Sequence, residues 1–178
     1  STDGGVNWTL SNNGMGNVTV GRMIVHPANA SKIFAATSGG VFVTTDGGQN
    51  WAHMDSGFDL WLRSVHFTDP GTGWASGQNG TILHTADSGR VWTPQSTNIS
   101  GELRSLYFLP DAEAGYAVGD HGTILFTDNG GSDWIMQASG TADTLQSVFF
   151  LDRNQGWIAG QNGIILHTTN GGVFWEKV

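Results

Sequence analysis

NGTILHTADSGRVW, the stretch from Asn79 to Trp92, decides the fold. It opens on an Asn-Gly turn pair, runs through the β-favouring residues Thr81 to Thr85, and closes on an Asp-x-Gly-x-x-Trp step. Turn residues on either side of a short β-branched run are how a hairpin strand reads. Residues able to take positive φ then reverse the chain before Trp92 starts the next strand.

The closing step recurs throughout the chain. STDGGVNW (Ser1 to Trp8), TTDGGQNW (Thr44 to Trp51), TDNGGSDW (Thr127 to Trp134) and TTNGGVFW (Thr168 to Trp175) share its form with TADSGRVW (Thr85 to Trp92). Their tryptophans are spaced by 43, 41, 42 and 41 positions, so one unit of about 42 residues is reused. Upstream of each late box stand an alternating piece and an aromatic-led piece. The first kind is LRSVHF (Leu62 to Phe67), LRSLYF (Leu103 to Phe108) and LQSVFF (Leu145 to Phe150). The second is GWASG (Gly73 to Gly77), GYAVG (Gly115 to Gly119) and GWIAG (Gly156 to Gly160). No stretch sustains a 3.6-residue apolar period. Four short antiparallel strands per 42-residue repeat is the unit of a propeller blade.

The expectation is therefore an all-β protein, a β-propeller of four complete four-stranded blades plus one N-terminal outer strand. The blades fall at about 17–54, 60–97, 101–138 and 143–178, after a blade remnant at 1–12. The chain opens inside a box and ends on a fourth strand of its own, so the N-terminal strand is not needed to complete the last blade. Four blades and one strand close awkwardly, which predicts part of a larger ring or self-association through open blade edges.

Composition narrows the function. Glycine fills 27 of 178 positions, charged residues make up only 12 %, and there are eight tryptophans, too apolar and aromatic for a disordered tail. Fifteen acidic against seven basic residues give a net charge of −8, which argues against a nucleic-acid binder or an anionic-lipid binder. No run is long and apolar enough for a bilayer span, so direct membrane insertion is not expected. With no cysteine, disulfides, thiolate metal sites and cysteine nucleophiles are excluded. No cofactor and no metal site are expected. Asp3, Asp46 and Asp87 are of the residue type that binds calcium, but Asn129 and Asn170 fill the same position, which favours hydrogen bonding over charge.

Aligned on the boxes, the unit LRSVxF…GWxxGxNGTILHTxDxGxxW resembles the repeat of the photosystem II stability/assembly factor-like family. Three blades, from about Leu62 to Trp175, carry it; the blade from Val20 to Trp51 resembles the general Asp-box (BNR) repeat of sialidases, sortilin-type receptors and xyloglucan-cleaving enzymes. The resemblance implies a non-enzymatic exported propeller, about seven-bladed, that binds a protein partner or an acidic peptide segment. The compartment it implies is the periplasm, the thylakoid lumen or the outside of the cell. It also implies an arginine patch on one face of the ring. Arg22, Arg63 and Arg104 stand in one repeated slot, 41 residues apart each time, and Gln146 fills the fourth.

The partner-binding candidates are therefore Arg22, Arg63, Arg104 and Gln146, together with Trp61, a tryptophan extra to the box pattern and expected as an exposed anchor. Guanidinium forks grip carboxylates bidentately, though the same arginines could staple neighbouring blades. The loops Asp55 to Trp61, Thr97 to Glu102 and Ala138 to Thr144 are the less repetitive surfaces where recognition could lie. The box residues Asp3, Trp8, Asp46, Trp51, Asp87, Trp92, Asn129, Trp134, Asn170 and Trp175 are read as structural. Phe34, Trp74, Tyr116 and Trp157 head the second strands and are expected to pack between blades. His84 and His167 share a slot with Val43 and Phe126, which argues for packing over metal ligation. The competing function is a secreted carbohydrate-binding or sialidase-type glycoside-hydrolase propeller. Hydrolysis of that type needs a tyrosine–glutamate nucleophile, and neither Tyr107 nor Tyr116 has an evident glutamate partner.

Overall fold

In the computed structural model, which describes residues 1, 3–54, 57 and 60–178, the strands assemble into four four-stranded antiparallel sheets. Blade 1 holds β1 (Val20–His26), β2 (Asn29–Thr37), β3 (Gly40–Thr44) and β4 (Ala52–Met54). Blade 2 holds β5 (Leu62–Phe67), β6 (Gly73–Gly77), β7 (Ile82–Thr85) and β8 (Thr93–Gln95). Blade 3 holds β9 (Leu103–Phe108), β10 (Gly115–Gly119), β11 (Ile124–Thr127) and β12 (Ile135–Gln137). Blade 4 holds β13 (Leu145–Phe150), β14 (Gly156–Gly160), β15 (Ile165–Thr168) and β16 (Glu176–Lys177). Each sheet is a simple meander in chain order. Among the described residues the helical elements are three 3-10 turns between second and third strands, Gln78–Gly80, Asp120–Gly122 and Gln161–Gly163. Their middle residues, Asn79, His121 and Asn162, take φ of 55–57°, a conformation Asn tolerates well. No helix among the described residues is long and apolar enough to cross a membrane.

The inner strands β1, β5, β9 and β13 lie side by side in that order. Neighbouring blades are joined by stacked rings. Phe34 stacks on Phe67 at 4.4 Å, Trp74 on Phe108 at 3.6 Å, and Tyr116 on Phe150 at 3.7 Å, each pair crossing one blade boundary. The same three phenylalanines meet the box tryptophans of their own blades edge-on, at 5.8–6.1 Å. Such geometry adds to simple burial. It also explains Gly73, Gly115 and Gly156. A Cβ there would stand 2.4–2.6 Å from the ring of Phe67, Phe108 or Phe150, so only glycine lets the second strand pass.

The boxes are wired alike. Thr44, Thr85, Thr127 and Thr168 each accept a glycine N–H through Oγ1 and donate to the Asp or Asn of the box. That Asp46, Asp87, Asn129 or Asn170 oxygen then accepts the backbone N–H four residues on, at 2.9–3.0 Å. Carboxylate and amide do the same work, as expected for a hydrogen-bonding role.

The N-terminal segment takes another form than the expected outer strand. Residues 9–12 join no sheet; a fourth strand needs a third beside it to pair with, and none lies there. Instead Asn13 bridges Asn50 in parallel, Asn13 O accepts the Trp51 N–H at 2.8 Å, and Met15 packs with Ala35, Phe42 and Trp51 on the face of blade 1. Trp8, with no blade beneath it, is 79 % exposed.

Candidate functional site

Arg63, Arg104 and Gln146 stand at the β-bulge that opens the inner strands β5, β9 and β13, and in β1 the corresponding residue is Gly21. Arg63 and Arg104 are held by acids. Arg63 Nε donates to Glu102 Oε1 at 2.6 Å, Arg104 Nη2 meets Glu102 Oε2 at 2.9 Å, and Arg104 Nε donates to Asp120 Oδ1 at 2.8 Å. Thr144 Oγ1 completes the row on Asp120 at 3.5 Å. One carboxylate, Glu102, thus bridges arginines from blades 2 and 3, and its side chain is only 12 % exposed. Arg22 does not share the slot expected of it: in blade 1 Gly21 takes that position, and Arg22 pairs with Ala36 as Ser64 pairs with Ser76; it is exposed and makes no ion pair among the described residues. Gln146 is exposed in the slot of blade 4.

Trp61 is half-buried rather than exposed. The Arg63 guanidinium carbon lies 3.6 Å from the centroid of its ring, a cation–π contact that covers one face. Its indole Nε1 is buried without a hydrogen-bond partner. Arg63 is therefore sandwiched between Trp61 and Glu102, both of which enter just before an inner strand.

Of the loops expected to carry recognition, Asp55, Ser56, Phe58 and Asp59 lie outside the described residues. The other two are pinned to turns of the preceding blade. Gly80 N–H donates to Gly101 O at 2.7 Å, Thr97 Oγ1 to Gly80 O at 2.7 Å, and Gly122 sits against the Thr141 carbonyl, 2.0 Å from where a Cβ would stand.

Beyond the bulge, each inner strand carries a second row opposite the leading aromatic of the second strand: Ile24, His66, Tyr107 and Phe149. His66 and Tyr107 rings lie 5.1 Å apart, and Tyr107 and Phe149 rings 5.4 Å apart, so three rings follow one another across blades 2 to 4. His66 Nε2 faces the Phe108 carbonyl at 3.1 Å, which requires the Nε2–H tautomer. Burial, then the Arg22 charge, press the His66 pKa down to about 4, so its ring is neutral at pH 7.

The remaining candidates are absorbed by packing. Trp74 Nε1 donates to Gly130 O and Tyr116 Oη to Gly171 O, both at 3.1 Å and both across a blade boundary. Burial lifts the Tyr116 phenol to about 12, so it is no ready nucleophile. His84 packs on Trp74 at 5.0 Å and His167 on Trp157 at 4.8 Å. Among the described residues no group of three or more His, Asp or Glu gathers as for a metal.

Comparison with known proteins gives the architecture its context. The family described as Photosynthesis system II assembly factor YCF48 matches residues 96–178, and the BNR/Asp-box repeat matches residues 42–53. Among solved structures, YCF48 from Cyanidioschyzon merolae superposes over 100 % of this chain and 65 % of its own, with TM-score 0.70 and 22 % identity. A structure of YCF48 bound to D1 peptide covers 65 % of this chain and 40 % of its own, with TM-score 0.59 and 24 % identity. An ancestral GH74 enzyme covers 94 % of this chain and 24 % of its own, with TM-score 0.76 and 18 % identity. At these identities the likeness is one of fold, and the chain spans between 24 % and 65 % of the length of these three structures. No curated protein matches the chain. By repeat and by sheet topology the chain is built of Asp-box propeller blades, and its C-terminal part is similar to the photosystem II assembly factor family.

Proposed function

We propose that this chain is a non-enzymatic propeller scaffold, acting in an exported compartment, that holds a protein partner through an acidic peptide segment. Two comparisons support the reading: the assembly-factor match over residues 96–178 and the related fold solved with a peptide bound. The observation that carries it lies in the arginine row. Glu102 already sits between Arg63 and Arg104 at 2.6 and 2.9 Å, so the slot's geometry grips a carboxylate. In a chain of net charge −8 with seven basic residues, Arg63 and Arg104 stand in this one slot, and Arg22 follows its blade 1 counterpart Gly21. A local positive focus on an acidic body orients an anionic segment more than it adds raw affinity. Trp61 stacks on Arg63, and Gln146 fills the slot in blade 4.

The test is fluorescence anisotropy with a labelled acidic peptide ending in a free carboxylate, titrated with the protein at several salt concentrations. The expected result is saturable binding that weakens as salt rises, and no binding of a peptide with amides in place of its acids. Equal binding of both peptides, or of neither, overturns the reading. The carbohydrate-active alternative draws on the GH74 superpositions, which at 18 % identity and below concern the fold.

A further inference from the structure

The blade boundaries are filled differently at the end of the inner strands away from Glu102. At the boundary of blades 1 and 2, Lys32 occupies the space beside the leading ring of the second strand. Its Nζ donates to the Ser88 carbonyl at 3.0 Å and lies 4.9 Å from the centre of the Phe34 ring. The pairing register gives the counterpart at the boundary of blades 3 and 4. Ile33 pairs with Thr44 as Gly115 pairs with Thr127, so Ala114 stands where Lys32 stands and Tyr116 where Phe34 does. By place in the box, Gly171 stands where Ser88 does. Ala114 ends at its methyl group, and a cavity of about 310 Å³ lies there, walled by Ala114, Tyr116, Phe126 and Val173.

Each exchange at this place removes a charge. Lys32 gives way to Ala114, and in the box Asp87 gives way to Asn170 and Arg90 to Val173. Arg153, which also lines the cavity, is paired with Asp111 at 2.7 Å and Glu113 at 3.3 Å. The carbonyl corresponding to the one Lys32 uses is taken as well: Gly171 O accepts from Tyr116 Oη at 3.1 Å and from Gln137 Nε2 at 3.2 Å. A cation in the manner of Lys32 would therefore find its acceptor engaged. The apolar surface continues outward, with Val173 83 % and Phe174 60 % exposed. Two lining donors remain open, since the Asn170 amide nitrogen and the Asn154 side-chain amide make no hydrogen bond among the described residues. Both are suited to a carbonyl.

We propose that this cavity is an anchor site for one uncharged aromatic side chain of a protein partner, carried on a segment whose backbone carbonyl meets the Asn154 or Asn170 amide. Edge contacts with the Phe126 ring favour an aromatic occupant over an aliphatic one. The exposed apolar rim extends beyond the footprint of one ring, which favours a ring carried by a chain over a free small molecule. The site follows the end of β13, whereas the arginine row opens the inner strands, so it is a second contact surface and does not rest on the acidic-segment reading. A seated aromatic anchor is the kind of contact that carries a large share of an interface's energy.

The experiment is solution NMR of the full isotope-labelled chain titrated with N-acetyl-phenylalanine methylamide. The Gly171 and Val173 backbone amides and the Asn154 and Asn170 side-chain amides should shift together, with a dissociation constant of about 1 mM. N-acetyl-alanine methylamide should bind about tenfold more weakly, because it brings no ring to bury. Binding should be insensitive to salt, which separates this site from the arginine row. Ala114→Lys, which supplies the side chain that fills the counterpart in blade 1, should abolish the shifts. Val173→Asp, at an exposed position, should weaken binding by about tenfold by placing a carboxylate against the ring, and it keeps the test decisive if Ala114→Lys does not fold. Equal binding of both probes, shifts centred elsewhere, or parent-like binding by folded Val173→Asp overturns the assignment. The scaffold reading is untouched by those outcomes, since it stands or falls on the acidic-peptide titration.

Discussion

The Trp134 indole N–H of blade 3 donates to the Gln95 Oε1 of blade 2 at 3.3 Å, and the same Gln95 amide donates to Gly130 O at 2.9 Å. One side chain on an outer strand thus grips both ends of the next blade's box. The pattern repeats one blade on, with Gln137, Trp175 and Gly171 at 3.2 Å each. Its repeat position is three residues after the box tryptophan. Blade 1 meets the need differently, with Trp51 Nε1 donating to the Ser11 carbonyl at 2.9 Å. At the remaining boundary the position is Met54, and the buried Trp92 Nε1 has no partner.

Met54→Gln should therefore stabilise the protein. The new amide oxygen would satisfy a buried donor, and a made hydrogen bond contributes about 1 kcal/mol. In a chain of this size that corresponds to a rise in Tm of about 2–4 °C. Gln95→Met should do the reverse, by about 1–3 kcal/mol, because it strands Trp134 Nε1 in a buried place. Thermal unfolding of both variants decides; the opposite ranking would show that Met54 serves mainly as apolar filling.

The second prediction concerns the staple. Glu102→Gln removes the charge that holds Arg63 and Arg104 together across the blade 2/3 boundary, leaving two half-buried cations close to each other. Partly exposed pairs contribute less than buried ones, so the expected loss is about 1–3 kcal/mol. In a double-mutant cycle, Arg63→Gln should cost less in the Glu102→Gln background than alone. Urea unfolding measures both. Strict additivity would mean the ion pair contributes nothing.

How much of this was legible beforehand differs by residue. The strands Leu62–Phe67, Leu103–Phe108 and Leu145–Phe150 follow from their alternation and flanking turns, and the box hydrogen bonds from Asp and Asn filling one position. Repetition made those features readable. Glu102 was hidden for the opposite reason. Its slot, two residues before the bulged residue, holds Thr19, Trp61 and Thr144 in the other blades, so no pattern marked it. The stacking of Trp61 under Arg63 depends on a contact within that same non-repeating slot. The Gln95 and Gln137 clasp could have been found, since both stand three residues after a box tryptophan; a polar residue on a short outer strand simply reads as solvated.

The third prediction separates the boxes by pH. Hydrogen bonds from the Asn50 backbone, the Asn50 side chain and Thr44 hold the Asp46 carboxyl at about 2, below its ordinary 3.8. A carboxyl depressed in the fold favours the folded state above the unfolded value, and that contribution is lost as pH falls from about 4 through about 2. Asp87 is lowered as well, chiefly by the Val91 N–H. Asn129 and Asn170 do not titrate. Acidification should thus loosen the blade 1 and 2 boxes first, seen as faster hydrogen exchange at the Asn50 and Val91 amides than at those of Asp133 and Phe174. Uniform loss of protection across all four would count against the carboxylates as the sensitive elements.

The last prediction joins Arg22 to His66. Burial is the first cause of the low His66 pKa and the Arg22 charge the second, while the hydrogen bond to the Phe108 carbonyl works the other way. Removing the arginine charge takes away one penalty on the imidazolium, so Arg22→Gln should raise the His66 pKa from about 4 without returning it to 6.5. The sign for stability follows. Between the folded and unfolded values the unfolded chain binds more protons, so this residue makes the fold weaken as pH falls from about 6.5 to about 4. Arg22→Gln should narrow that window and reduce the loss. Two-dimensional NMR of the imidazole through the titration reads the pKa directly, and chemical unfolding at pH 7 and pH 5 reads its consequence. An unchanged His66 titration in the variant would show that the Arg22 charge does not reach the imidazole, leaving burial as the cause of its low pKa.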